Sequence, residues 1–183
     1  MPNSLFVDED HPKAATTAAP MHLAVGGDHA GFLLKGPLIE LARSWGHTVQ
    51  DFGTHSTEPV DFPDIAHAVC TAVREGKAER GILVCGTGVG ASIAGNKHPG
   101  IRAATCHDVY SAHQCVEHDN VNLLCIGAQI IGHKLAGDVL RAYLEARFVP
   151  DEQFVRRLGK LAEMERREAE QLVHSASKRG NPS

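Results

Sequence analysis

Cys85 stands where an apolar run meets a glycine-rich turn. Gly81, Ile82, Leu83 and Val84 lead into it, and glycines follow at 86, 88 and 90, with Thr87 and Val89 between them. Ala91 to Ala94 then reads as the opening of a helix. A strand that enters a helix through such a turn leaves several backbone N–H groups without intrahelical acceptors. Those donors, with the positive end of the helix dipole, make a cradle for negative charge. A thiol beside that cradle lies in a field that favours its thiolate. A base or nucleophile next to an oxyanion cradle suits chemistry on a carbonyl compound.

Other chemistry-bearing residues fall into two groups. Asp28 and His29 follow Gly26 and Gly27 at the end of an earlier apolar run. There they either bind sugar hydroxyls and exchange a proton, or cap the next helix and face solvent. His118, Asp119 and Asn120 lie near a helix end. A histidine at such a place is a dipole-stabilised cap, or an acid–base group if folding or dimerisation carries it to Cys85. Arg156, Arg157, Arg166 and Arg167 sit among glutamates in a charged C-terminal segment. They form a solvated face, or one of them reaches a phosphate, in the same chain or in a second subunit.

Two alternatives fit less well. The glycines at 86, 88 and 90 do not follow the G-x-G-x-x-G order of a dinucleotide turn, although Asp108 stands about 20 residues on, where a ribose-binding acid would be. Cys106, His107, His113, Cys115 and His118 match no common zinc spacing, and His113 and Glu117 share a helix face from which Cys115 points away. No metal site is expected.

The elements that must position these groups alternate along the chain. Strands are expected at 22–26, 48–52, 81–85, 101–106 and 123–127. Helices are expected at 31–45, interrupted or delayed by Pro37, at 63–75 behind a cap from Asp61, at 90–96, at 109–117 with Asp108 near the start, from 133 to about 147, and from 151 to about 173. Short apolar strands alternating with helices indicate βαβ units and a parallel sheet covered on both faces. Ligands bind such folds at the carboxyl ends of the strands. That rule selects the loops at 26–31, 52–58, 85–90, 105–108 and 127–132.

The whole chain is consistent with one α/β domain over 21–174, between a flexible leader at 1–20 and a flexible tail at 175–183. Its 183 residues are 43% hydrophobic and 22% charged, with a net charge of −4. That balance implies no basic surface for nucleic acid and no anionic-membrane partner. No apolar stretch spans a bilayer, and no signal peptide precedes the domain. Five cysteines without framework spacing fit a reducing cytoplasm.

Taken together, the segments GGDHAGFLLK (26–35), DFGTHSTEPVDFPDIA (51–66), GILVCGTGVGASIAGNKHPGIRAA (81–104) and HDNVN (118–122) resemble the type B ribose-5-phosphate isomerase family. That family also includes galactose-6-phosphate and allose-6-phosphate isomerases. The resemblance implies a Rossmann-like three-layer α/β/α sandwich with a five-stranded parallel sheet in the order 2-1-3-5-4. It implies a homodimer, often paired into tetramers, with sites built from both subunits and no cofactor. The implied reaction interconverts an aldose phosphate and a ketose phosphate, by default ribose 5-phosphate and ribulose 5-phosphate. His118 matches the ring-opening histidine, Cys85 the base, and Thr87 a proton relay. The amides from Gly86 through Gly88 and Val89 to Gly90 would hold the enediolate, and Asp28 and His29 would orient hydroxyls.

Three positions depart from the family pattern. Asp119 follows the ring-opening histidine where the family has Asn. Gln129 stands for a phosphate-binding Arg. Of two further arginines four apart, the second is kept as Arg156 while the first is Glu152. These changes leave three alternatives to the default: another sugar phosphate, a free sugar, or a non-catalytic sugar-phosphate-binding protein.

Overall fold

The apolar runs form strands and the segments between them form helices. In chain order they are β1 His22–Gly27, α1 Phe32–Ser44, β2 Thr48–Asp51, α2 Phe62–Arg74, β3 Arg80–Cys85, α3 Val89–Gly95, β4 Ala103–Thr105, α4 Val109–Asp119, β5 Leu123–Gly127, α5 His133–Glu145 and α6 Glu152–Arg179. The structure, a computed structural model, describes residues 19–179. The expected leader falls outside the described residues except for positions 19 and 20, and so do positions 180–183 of the expected tail.

All strand pairs are parallel, in the order β2-β1-β3-β5-β4. The sheet divides the core in two. Along β3 the side chains alternate, Ile82 and Val84 packing with α1, α4 and α5, and Leu83 and Cys85 packing with α2 and α3. This is the period-two alternation of a strand buried on both faces. Leu123, Leu124, Cys125 and Ile126 of β5 are all fully buried. Truncating Leu124 to Ala there costs about 2–5 kcal/mol.

Several element ends differ from expectation for identifiable reasons. β4 spans three residues, not 101–106. Arg102 N–H donates to Asn122 Oδ1 at 2.8 Å and so leaves the ladder. Pro37 does not interrupt α1, which runs continuously through it. The carbonyl that the proline cannot satisfy belongs to Leu33, on the solvent side of the helix, where water can bond it. Asp61 occupies the N-cap of α2 without a side-chain capping bond. Pro63 in the first turn removes one of the donors that a cap would take. Asp108 does cap α4, accepting the Ser111 N–H at 2.7 Å. α4 continues two residues past its expected end and stops at Asn120, whose φ of 48° is the left-handed turn that asparagine tolerates. α5 ends at Glu145, and its last carbonyls accept from arginines: Tyr143 and Ala146 from Arg80, and Leu144 from Arg147.

Among the described residues, 19–148 form one compact unit and 149–179 a second. The second unit is essentially α6, which continues to Arg179 rather than stopping near 173. Arg166 bridges Glu163 at 2.8 Å and Glu170 at 2.5 Å along its surface. Among the described residues, no helix is long and apolar enough to cross a membrane.

Candidate active site

In a doubly wound sheet the crevice opens at the carboxyl edge, where successive crossovers turn in opposite directions. Here that point lies between β1 and β3, and the chain ends those strands with Asp28 and Cys85.

Cys85 is 6% exposed and belongs to the core cluster beside α2 and α3, and within it the sulfur has a polar partner. Sγ accepts the Gly88 N–H at 3.0 Å. Gly88 can turn its amide toward the sulfur because its φ is +81°, a left-handed conformation available to glycine. Among the described residues, the amides of Gly86, Thr87, Gly90 and Ala91 have no acceptor, and that of Val89 makes only a long 3.4 Å contact to Thr87 Oγ1. The turn thus offers one donor to sulfur and four more beside it. Thr87 itself is exposed. Its backbone passes so close to Gly127 that a β-carbon there would lie 2.7 Å from the Thr87 carbonyl carbon.

The other cysteines are different. Burial pushes the Cys70 thiol up to about 11 and the Cys125 thiol well above its ordinary value. Cys106 and Cys115 form a buried pair, Cys106 donating to the Cys115 sulfur at 3.9 Å and Cys115 to the Ala112 carbonyl at 3.3 Å. No backbone N–H donates to any of these four sulfurs in the described residues.

Three of the other loops expected at the carboxyl edge, 26–31, 105–108 and 127–132, contact this turn, while the loop at 52–58 bonds Gly27 at the end of β1. Ala30 Cβ and Gln129 Oε1 lie 3.6 and 3.2 Å from where a β-carbon on Gly86 would stand. The Phe62 ring comes within 3.1 Å of the same position on Gly90. Thr105 donates its hydroxyl to the Gly88 carbonyl at 3.1 Å. Ala128 and Gln129 donate their N–H groups to the carbonyls of Cys85 and Gly86 at 2.8 and 3.0 Å.

Asp28 is buried and its Oδ1 accepts the Gly31 N–H at 3.0 Å. Its second oxygen has no donor among the described residues. His29 is exposed, and its Nδ1 accepts the Val60 N–H at 3.3 Å. The segment that follows β2 is tied by a part-buried ion pair. Lys35, 2% exposed, lies 2.5 Å from Asp51, and Asp51 also accepts the Gly53 N–H at 3.0 Å.

His118 and Asp119 are elsewhere. They occupy the last turn of α4, at the amino edge of the sheet. Asn122, four residues past His118, accepts the Gly81 N–H at 2.8 Å at the start of β3, whereas Cys85 ends that strand. About 16 Å of strand separates the two edges. One chain does not bring His118 to Cys85. Arg156 lies in α6, within the second unit, and is exposed.

The five residues weighed as a zinc cluster are dispersed. Cys106 and Cys115 are in the core, His113 faces Glu117 at 3.2 Å on the helix surface, and His107 stands at the carboxyl edge. Among the described residues, no three His, Cys, Asp or Glu side chains gather as a metal site would need. Sequence reasoning assigned no active-site role to Phe62, Lys35 or His107. Lys35 and Phe62 fall inside two of the family-like segments and His107 inside the rejected zinc pattern, and each makes its contact with residues distant in sequence.

Comparison with known proteins gives the arrangement its context. The family described as Ribose/Galactose Isomerase matches residues 23–161. The chain belongs to that family. It is 43% identical to the Ribose-5-phosphate isomerase B of Escherichia coli (strain K12) over 126 residues, covering 69% of this chain and 85% of that protein. It is 40% identical to the D-erythrulose-4-phosphate isomerase of Pectobacterium atrosepticum over 129 residues, covering 70% of this chain and 85% of that one. Among solved structures, Clostridium thermocellum Ribose-5-Phosphate Isomerase B superposes with a TM-score of 0.79 at 42% identity, covering 81% of this chain and 99% of that one. The Rossmann-like three-layer α/β/α architecture is thus shared with ribose/galactose isomerases. As a member of this isomerase family, the chain is an aldose–ketose isomerase.

Proposed function

We propose that this protein isomerises a sugar phosphate through an enediolate, with Cys85 as the base and the turn after it as the oxyanion cradle. The observation that carries the reading is the Gly88 N–H on the Cys85 sulfur, on the same turn as four amides without acceptors. Such a turn supports a thiolate and a neighbouring oxyanion together.

The steps follow from the groups present. A histidine opens the cyclic sugar by moving a proton to the ring oxygen. Cys85 then takes the proton from the carbon next to the carbonyl. The carbonyl oxygen becomes an anion and accepts from the amides of Gly86, Thr87, Gly90 and Ala91. Each such fixed donor contributes about 3 kcal/mol to the transition state. The Thr87 hydroxyl passes a proton between the two enediol oxygens, and Cys85 returns its proton to the neighbouring carbon. Asp28, through its second oxygen, and His29 orient hydroxyls. Proton transfer and oxyanion binding account for every step, and no cofactor is called for.

The ring-opening histidine is His118 of the partner subunit. Its place on the opposite edge of the sheet makes a single-chain site incomplete, and a homodimer supplies what is missing. Tetramers of such dimers are compatible with this arrangement.

Ribose 5-phosphate and ribulose 5-phosphate are the first substrate pair to assign. A second reading keeps the chemistry and changes the sugar phosphate. It is favoured by Gln129, whose neutral carboxamide lies over Gly86 where the resemblance places a guanidinium. The relative that is named a D-erythrulose-4-phosphate isomerase gives that reading a concrete candidate. Turnover on a panel of tetrose, pentose and hexose phosphates, each run with wild type and Cys85→Ala, decides between them. Fastest turnover on ribose 5-phosphate supports the first, and fastest turnover on another sugar phosphate the second. Turnover undiminished in Cys85→Ala contradicts both.

A further inference from the structure

His107 lies one residue beyond the Cys106 thiol, at the carboxyl edge beside β4. Its Nε2 accepts the Gly127 N–H at 2.9 Å. Gly127 is the register partner of Cys85 across β3 and β5. The same Gly127 nitrogen is 3.4 Å from where a β-carbon on Gly88 would stand, and Gly88 is the residue whose amide holds the sulfur. Two residues, Gly127 and Gly88, therefore link the imidazole to the thiol. It is half-buried rather than sealed.

Accepting a backbone N–H at Nε2 assigns the ring its tautomer. An acceptor nitrogen carries no proton, so the neutral ring carries it on Nδ1. Nδ1 has no acceptor among the described residues. The backbone thus holds a neutral imidazole in one orientation, with one N–H donor unspent, at the edge where substrate binds. Thr105, two residues earlier, ties the same segment to the Gly88 carbonyl. The donor is therefore fixed relative to the cradle.

We propose that His107 is a further substrate-binding residue, donating from Nδ1–H to a hydroxyl oxygen of the bound sugar. The assignment rests on the isomerase reading of the Cys85 turn. A neutral donor suits a hydroxyl, which needs direction more than charge.

The test uses full-length His107→Gln and His107→Phe beside wild type and Cys85→Ala, with ribose 5-phosphate or the best substrate of the panel. Inorganic phosphate serves as a competitive inhibitor, and melting temperature is followed throughout. In His107→Phe, KM rises about five- to tenfold while kcat changes less than twofold, as loss of one uniform hydrogen bond requires. Glutamine can accept from Gly127 and donate onward, so His107→Gln stays within about threefold of wild type. The inhibition constant for phosphate does not move, and the melting temperature holds in His107→Gln but falls in His107→Phe, where the Gly127 N–H loses its acceptor. A wild-type KM in His107→Phe overturns the proposal. So does a parallel rise in the phosphate inhibition constant, which would put the ring on the phosphate. Equal losses in both variants with a matching fall in melting temperature would reduce His107 to a structural role. Full turnover in Cys85→Ala would instead remove the site to which His107 is assigned.

Discussion

The two edges of the one parallel sheet are finished in opposite ways. At the amino edge the backbone is tied off by side chains. Asn122 accepts the Arg102 N–H at 2.8 Å and donates to the Gly100 carbonyl at 2.9 Å, and Arg102 Nε donates to the Asn120 carbonyl at 2.7 Å. Glu79 accepts the His22 N–H at 3.0 Å and His47 that of Met21 at 3.2 Å. At the carboxyl edge a turn of similar length leaves four amides without acceptors and gives a fifth to sulfur. Open backbone donors cost stability when no water or ligand reaches them, so one edge spends its side chains on stability. On the proposed reading, the other keeps its donors for an anion that forms only during reaction. His118 belongs to the tied-off edge, and for that reason its catalytic use requires a second subunit.

The largest expected effect tests that division of labour. Cys85→Ala and His118→Ala each lower turnover by about 10²- to 10⁴-fold. Mixed in equal amounts and allowed to exchange subunits, the two inactive proteins regain about one quarter of wild-type activity, because half the dimers carry one intact site out of two. No recovery, with exchange verified by tagged subunits, would place both residues' roles within one chain.

Gly127→Ala strikes the carboxyl edge without touching a reacting group. Its β-carbon would sit 2.7 Å from the Thr87 carbonyl carbon, so the cradle must shift. Turnover falls about tenfold or more, with about 1–3 kcal/mol lost on denaturant unfolding. Asn122→Ala does the converse at the amino edge. It removes an acceptor and a donor from two backbone partners, costs about 2 kcal/mol, and leaves kcat near wild type. A variant of Asn122 that lost activity but no stability would erase the contrast between the edges.

The smallest effect concerns pH. His47 is buried, with Nε2 lacking a hydrogen-bond partner among the described residues, and its pKa is lowered from 6.5 by burial first and then by Arg147 and Arg80, against an opposing pull from Glu79. The unfolded chain therefore takes up a proton at a pH where the folded chain does not. Stability is full above 6.5 and declines as pH falls through that value toward the lowered one. Urea midpoints between pH 7.5 and 5.5 should fall less steeply in His47→Gln than in wild type.

How much of this could be read from the chain depended on how local each signal was. The period of the apolar runs located all five strands, and the rule for parallel sheets selected the Cys85 turn and three loops that contact it. Asp108 acts as the cap its position suggests, because an aspartate three residues before Ser111 needs only its own turn. Asp61 has the same local signature and makes no such bond, since Pro63 alters which donors its turn presents. His107 was legible only as one residue of a mismatched zinc pattern. Its meaning comes from Gly127, twenty residues away and adjacent only because β4 lies beside β5. Lys35 reads as an ordinary helix lysine, and only the sheet order puts it against Asp51. His118 reads as a cap or an acid; the fold puts it in the last turn of α4, and its use as an acid belongs to the proposed dimer.

The central claim is that Cys85 moves the substrate's proton and the turn beside it holds the resulting anion. Running the reaction in deuterium oxide and following the label by NMR at the carbon next to the carbonyl tests it directly. Wild type should incorporate deuterium there at a rate comparable to isomerisation, and Cys85→Ala should incorporate none above the uncatalysed background while keeping its fold. Exchange at the wild-type rate in Cys85→Ala would contradict the account.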